Sequence, residues 1–301
     1  MIFHNTSFIR KSCLITVLML AFSCGTKNST SNKGTIDTIS TEGMNNAYLE
    51  SVYYRFPTPD EVFKFINNEK LKFNPSLLNE VSKIDTYLDI KSQTTALGVY
   101  IADLAYVTMF EAYNKSADYY KAVHELSSKI RISSAYDLEV AQRIEKNLLN
   151  IDSLKSISID SYSSMVEFLV LNNREKTLAL IAAGSYIECF HLVFSLAGKY
   201  SKNNTMIVKI ADLKYAFDNL YSYLLIFSDD KGIKELSEQL QPLSELFSKI
   251  EQKDLGKTTV TQTKDGDIVL GGGTKLSFTP ELFEQMKKEV ERLRNLLVNP
   301  K

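Results

Sequence analysis

Asp103 stands in the middle of an almost wholly apolar run from Ala96 to Phe110. An unpaired carboxylate there must shift its pKa or find a partner, and buried titratable groups are candidates for functional sites. A tyrosine hydroxyl, a lysine or a helix N-terminus on a neighbouring element would equally satisfy it and tie two helices together. A second apolar run, Leu178 to Ala197, contains Glu188-Cys189-Phe190-His191. Glu-x-x-His puts a carboxylate and an imidazole on one helix face, as di-iron carboxylate bundles do. Such a centre needs the pattern twice plus two further glutamates, and His124 has Lys121 three residues before it. Half the constellation is therefore missing, no metal is expected, and a structural hydrogen bond between Glu188 and His191 is the plainer expectation. Cys189, two positions from His191, faces a different side of the helix and reads as a small apolar residue rather than a nucleophile. There is no Gly-x-Ser-x-Gly and no phosphate loop, and Gly271-Gly272-Gly273 precedes a strand rather than the helix a dinucleotide fingerprint requires. Asp103, Glu188 and His191 form the candidate buried polar site; no catalytic residue and no cofactor is assigned.

The other residue with chemistry in view is Cys24. The chain opens on a basic start with Arg10 and Lys11, continues with an apolar run from Cys13 to Phe22, and reaches Ser23-Cys24-Gly25. That is the layout of a secretory signal peptide, and the apolar run is about half the ~20 residues a membrane-spanning helix needs. Leu20-Ala21-Phe22-Ser23-Cys24 resembles the lipobox of bacterial lipoproteins, in which the cysteine is acylated and becomes the new first residue. Ala21 stands where the strict pattern has leucine and Phe22 where it has a small residue, a looser form that resembles the Bacteroidetes version. The resemblance implies a membrane partner held through lipid on Cys24. Several acyl chains at ~0.8 kcal/mol per buried methylene grip a bilayer essentially permanently.

The organisation that follows is a signal peptide over 1–23, a tether over 24–50 and a helical domain over 51–301. From Gly25 to about Asn46 the chain is mostly Gly, Ser, Thr, Asn and Lys and lacks the apolar surface to order itself. A linker of about 22 residues sets the domain on the order of 25 Å from its anchor. The resemblance further implies an outer-membrane position facing the periplasm, because acidic residues soon after the cysteine often mark surface export and none occurs before Asp37. Without Arg10 and Lys11 the chain carries 33 basic against 36 acidic residues, so nucleic acid is not an expected partner. Removal of Cys13 and acylation of Cys24 leave Cys189 alone, which excludes an internal disulfide and sites built from several thiolates.

Helix punctuation fills the rest. Thr58-Pro59-Asp60-Glu61 combines an N-cap, a first-turn proline and a capping-box glutamate; Asn74-Pro75 and Thr279-Pro280-Glu281 repeat the device. The spacing predicts helices over 59–68, 75–88, 90–114, 116–131, 134–150, 153–172, 174–199, 204–228 and 231–252, the last kinked or broken at Pro242. A terminal helix carries Phe283, Met286, Val290, Leu293 and Leu297 at intervals of three and four, one apolar stripe with a solvated face of Lys, Arg and Glu. Ala96 to Phe110 and Leu178 to Ala197 are apolar nearly all round and belong at the centre of the fold. The second reaches membrane-spanning length but reads as a core helix, since Glu188 and His191 interrupt it.

Ala96, Gly98, Tyr100 and Ile101 match Ala182, Gly184, Tyr186 and Ile187 at a constant offset of 86 residues. Glycine inside a helix costs ~1 kcal/mol relative to alanine, so the matched pair suggests close backbone approach. Either the chain contains a duplicated three- to four-helix unit, 75–150 and 153–230, or two small-residue helices agree by chance. Thr258 to Leu270 around Asp265-Gly266 reads as a β-hairpin insertion at about 257–278, with a third short strand at Lys275 to Phe278 and the Gly run as a hinge. The fold class is all-α, a multi-helix bundle with a small hairpin before the C-terminal helix. Tyr53-Tyr54-Arg55-Phe56 is expected to pack across the open end of the bundle.

Phe73-Asn74-Pro75, the run Leu97 to Tyr106, and Gly184 to Glu188 resemble a family of uncharacterised Bacteroidetes lipoproteins, over roughly 55 to 300. That resemblance brings no activity with it. Two functional expectations remain: a helical binding or scaffold module of the cell envelope with a protein partner, or an enzyme or a metal- or ligand-binding protein using Asp103, Glu188 and His191. A working site should gather those three within ~10 Å around a solvent-reachable pocket, whereas a scaffold should bury them separately.

Overall fold

The computed structural model describes residues 58–63, 71–133, 143, 146–147, 150–257, 259–262, 268–271 and 273–300. The expected signal peptide, Cys24, the expected tether, the Tyr53 to Phe56 cluster, the expected turn at Asp265-Gly266 and nearly all of the helix expected over 134–150 lie outside the described residues.

The described chain is an all-α bundle. Its elements are α1 (Pro59–Phe63), two 3-10 turns η1 (Pro75–Leu77) and η2 (Val81–Thr86), α2 (Ile90–Met109), α3 (Tyr113–Lys129), α4 (Ile151–Leu171), α5 (Glu175–Ala197), α6 (Thr205–Ile226) and α7 (Lys231–Ser248). Short strands β1 (Glu251–Asp254), β2 (Thr259–Gln262), β3 (Ile268–Gly271) and β4 (Thr274–Ser277) precede α8 (Pro280–Val298). The expected caps form: Thr58 and Glu61 exchange side-chain-to-backbone hydrogen bonds at 3.2 and 2.8 Å, and Thr279 Oγ1 accepts from Leu282 N at 3.2 Å. Asp89, Asn150, Asn204 and Asp230 cap α2, α4, α6 and α7 in the same way.

Three helices end in a six-residue backbone lock. The amide of Ala112 bonds to Val107 O, that of Ile132 to Ser127 O and that of Arg174 to Leu169 O. These are Schellman motifs, which require a left-handed residue; Glu111, Arg131 and Asn173 supply it with φ of 56°, 58° and 54°. With no glycine to mark these ends, the sequence reading set the boundaries a few residues off.

At the centre, α2 lies directly against α5. A Cβ on Gly98 would fall 2.0 Å from Ile181 O, and one on Gly184 would fall 2.0 Å from Thr95 O. Each matched glycine thus lets the backbone of the other helix come close, which offsets its cost in helix propensity. The elements ahead of them differ, since a 21-residue helix precedes α5 while two 3-10 turns precede α2. By length and composition α5 could cross a membrane, yet 89% of its apolar window is buried inside the bundle. Around it, Phe190, Phe217 and Phe247 join α5, α6 and α7 at centroid distances of 4.7–6.0 Å.

Three expectations need correction. Residues 75–88 do not form a helix; Leu78, Val81, Ile84 and Tyr87 recur every third residue, the period of a 3-10 turn rather than an α-helix. The helix through Pro242 is not broken, because both Pro242 and Glu238 are exposed, so the carbonyl that loses its partner can turn to water. Residues 251–254 are strand, pairing with β4 from Glu251↔Ser277 to Asp254↔Thr274. The expected hairpin, β2 with β3, therefore stands on a second pair, and Gly256 and Gly273 with φ of 86° and 78° link the two. Buried Leu276 and Phe278 root this insertion against Phe194 and Phe283.

The glycine crossing yields a direct test. Gly98→Ala and Gly184→Ala each push a methyl into backbone rather than into a flexible side chain, so each should cost about 3 kcal/mol or more in denaturant unfolding. An alanine at either place that leaves stability unchanged would show that the helices do not cross there.

Candidate functional site

The buried polar site is built around the segment 74–80, in which the 3-10 turn η1 gives way to extended chain before η2. Leu78 and Glu80 are extended, so the peptide groups between them lack the regular partners of a helix. Buried backbone N–H and C=O groups must be paired, and here side chains of the bundle do it. Asn74 N donates to Tyr106 Oη at 3.1 Å. Asn79 N donates to Asp103 Oδ2 at 3.1 Å, while Asn79 O accepts from Tyr119 Oη at 2.9 Å. Glu80 O accepts from Tyr100 Oη at 2.7 Å. The Asn79 amide donates to Tyr87 Oη at 2.9 Å.

Leu77 O is the junction of the set. Arg294 Nη2 donates to it at 3.1 Å, and His191 Nε2 lies 3.2 Å from it. Arg294 comes from α8 and also grips Glu188 on α5, with Nε 3.0 Å from Oε2 and Nη2 3.2 Å from Oε1. The carboxylate is wholly buried, and the guanidinium nearly so. His191 Nδ1 lies 2.9 Å from Glu291 Oε2, so both ring nitrogens face acceptors. Glu291 and Arg294 belong to a polar stripe on α8, Lys287, Glu291, Arg294, beside its apolar one; Lys287 donates to Gly198 O at 2.8 Å.

Asp103 is fully buried, and its pKa is raised well above the ordinary carboxyl range. Burial is the chief cause and the charge of Glu188 the next; the Asn79 amide and Arg294 pull the other way. A side-chain hydrogen bond with Glu188 raises the pKa further. Burial also raises the Cys189 thiol and the hydroxyls of Tyr87, Tyr100, Tyr106 and Tyr119. A thiol held neutral in this way is a poor nucleophile.

The three candidate residues are thus brought into one cluster, but not around a pocket. Asp103 and Glu188 are sealed from solvent, and only the His191 and Glu291 edge reaches water, at a groove of about 410 Å³ between α5 and α8 lined also by Ser195, Glu284, Lys287 and Lys288. The expected hydrogen bond between Glu188 and His191 gives way to two others, Glu188 with Arg294 and His191 with Glu291. Asp103 is met by a backbone amide rather than by a tyrosine, a lysine or a helix N-terminus. Among the described residues, no group of three or more His, Cys, Asp or Glu side chains is placed to hold a metal ion.

Sequence reasoning missed Arg294, Glu291, Asn79 and the four tyrosines. A legible signal existed for the first two: Lys287, Glu291, Arg294 and buried Val298 are spaced four, three and four, a second core-facing row. Comparison with protein-family models, with curated proteins and with solved structures finds no match to this chain.

Two tests follow from the cluster. Removing one member of a buried ion pair leaves a bare charge, so Arg294→Ala should cost about 3–5 kcal/mol, and adding Glu188→Gln should recover much of that loss; equal loss in single and double variants would contradict the pairing. A carboxyl whose pKa is raised by folding contributes fully below its unfolded pKa, and the contribution is lost as pH rises toward the folded value. Unfolding midpoints measured from about pH 4 to about pH 8 should therefore shift progressively in favour of Asp103→Asn over the wild type. A trend in the opposite direction would mean that Asp103 folds as an anion.

Proposed function

We propose that this chain is a lipoprotein of the cell envelope, held in the outer membrane through lipid on Cys24 and facing the periplasm, whose helical domain serves as a binding or scaffold module. The anchor rests on the residues themselves: a basic start, a short apolar run and a small residue before Cys24. The observation that carries the module is the engagement of the candidate residues. Asp103 bonds the amide of Asn79, Glu188 is neutralised by Arg294, and His191 is engaged on both sides. Chemistry on a substrate needs a reacting group in reach of that substrate, and the two carboxylates have no exposed surface. Their work is to hold a peptide segment in place.

A rigid helical body on a long leash is suited to meeting another macromolecule near the membrane. Its net charge is close to neutral, which supports a protein partner rather than nucleic acid.

Acylation is testable in cells of a host that processes lipoproteins. The wild type should incorporate an alkyne-tagged palmitate and sediment with outer membranes, whereas Cys24→Ser should lose the tag and leave the membrane fraction. Recovery from cytosol of a chain that retains its starting methionine and an unmodified Cys24 would overturn the proposal.

A further inference from the structure

The helix ends at one pole of the bundle are stitched into a ring. Asp85, at the end of η2, is paired with Lys129 of α3 at 2.8 Å. The next residues of α3, Ile130 and Arg131, offer their carbonyls to Arg174 before α5, at 3.0 and 2.9 Å. Lys176 of α5 is paired with Asp229 before α7 at 2.9 Å, and Glu235 of α7 is paired with Lys91 of α2 at 2.9 Å. Lys91 lies three residues from Leu88 and six from Asp85, which closes the circuit.

Large apolar side chains left in water gather at this pole. Leu88 is 85% exposed, Ile90 63%, Leu171 53%, Leu225 47%, Ile226 62% and Leu296 40%. The first five flank the stitched residues in sequence, and Leu296 lines the same groove as Asp89 and Lys91. Among the described residues the other exposed large apolar side chains are only Ile159, Tyr215 and Leu255. Single exposed leucines need no explanation, but such a concentration marks an interaction surface.

We infer that this pole rests on the lipid bilayer, its six aliphatic side chains entering between lipid headgroups. The inference deepens the proposed function, since it rests on the acyl anchor at Cys24. Three observations favour lipid over a protein surface. The six residues are all leucine or isoleucine, whereas protein hot spots are enriched in tryptophan, tyrosine and arginine. Six of the charged groups around them are paired with one another, so much of the charge at this pole is spent within the protein while the apolar tips are left facing outward. The chain between Cys24 and Thr58 also has the necessary reach. Thr58 begins α1, which packs through Phe63 on Tyr106, sixteen residues along α2 from Ile90 and so about 24 Å from the pole. The 33 residues between Cys24 and Thr58 can span at most about 110 Å, enough to bring that pole to the membrane that holds the anchor.

The test uses the full lipidated chain in phosphatidylethanolamine vesicles containing lipids with a quencher on the acyl chain. An environment-sensitive fluorophore is placed in turn at Ile90→Cys, Ile226→Cys, Ile159→Cys and Leu255→Cys, and acylation of Cys24 is read separately by mass spectrometry. The expected result is a blue-shifted emission quenched at least threefold more strongly at 90 and 226 than at 159 and 255. An acylated, vesicle-bound chain with equal quenching at all four sites would overturn this inference while leaving the anchor standing. A chain that is not acylated would overturn both. A blue shift at 90 and 226 that needs no lipid and grows with protein concentration would assign the pole to a second copy of the chain and overturn the bilayer as its occupant.

Discussion

Peptide groups taken out of water without helical partners have to be paired by something, and in this protein that need organises the centre of the molecule. The segment 74–80 contains the first 3-10 turn and the link to the second, and it goes under at Leu78 and Asn79, which are buried. Tyr106, Asp103, Tyr119, Tyr100, Arg294 and His191 each reach one of its backbone groups. An unpaired buried donor or acceptor costs on the order of 1–3 kcal/mol, so six partners on α2, α3, α5 and α8 bind the segment to four helices at once. The buried charges are intelligible in the same light. Arg294 is needed at Leu77 O, Glu188 balances Arg294, and burial beside Glu188 pushes the Asp103 carboxyl toward its neutral form.

That arrangement explains how residues with the look of an active site come to be engaged by a peptide segment and by α8. Glu188 and His191 share a helix face as their spacing requires, yet each is claimed by a different residue of α8. Sequence spacing fixes which face a side chain occupies; it does not say what stands opposite. Opposite this face stands a row of alternating charge, Lys287, Glu291 and Arg294, which matches acceptor, base and acid along α5 in turn.

Much of the architecture was legible because its causes are local. Caps at Thr58, Asn74 and Thr279 are written in one to three residues, and the paired glycines announced a close backbone approach. The failures have non-local causes. Leu77 to Tyr87 carries enough apolar periodicity to suggest a helix, but its peptide groups find better partners on other elements than on themselves. Strand β1, Glu-Gln-Lys-Asp with every side chain exposed, has no alternation to read and exists because β4 lies beside it. Helix ends at Glu111 and Arg131 adopt the left-handed conformation without the glycine that usually signals it. Of the polar cluster, Asp103, Glu188 and His191 stood out against apolar neighbours. Arg294 and Glu291 did not, because arginine and glutamate on an amphipathic helix ordinarily face water.

The pairing of Glu188 with Arg294 spans 106 residues of chain, and this sets an order of events. While the polypeptide emerges from the ribosome, α2 and α5 can approach through their glycines, but the carboxylate between them stays without its counter-ion until the last helix arrives. Until then Glu188 has to stay in water or take up a proton, because an unpaired charge is too costly to bury. Closing the centre with its charge balanced therefore joins two distant stretches of the chain, and neither can complete it alone.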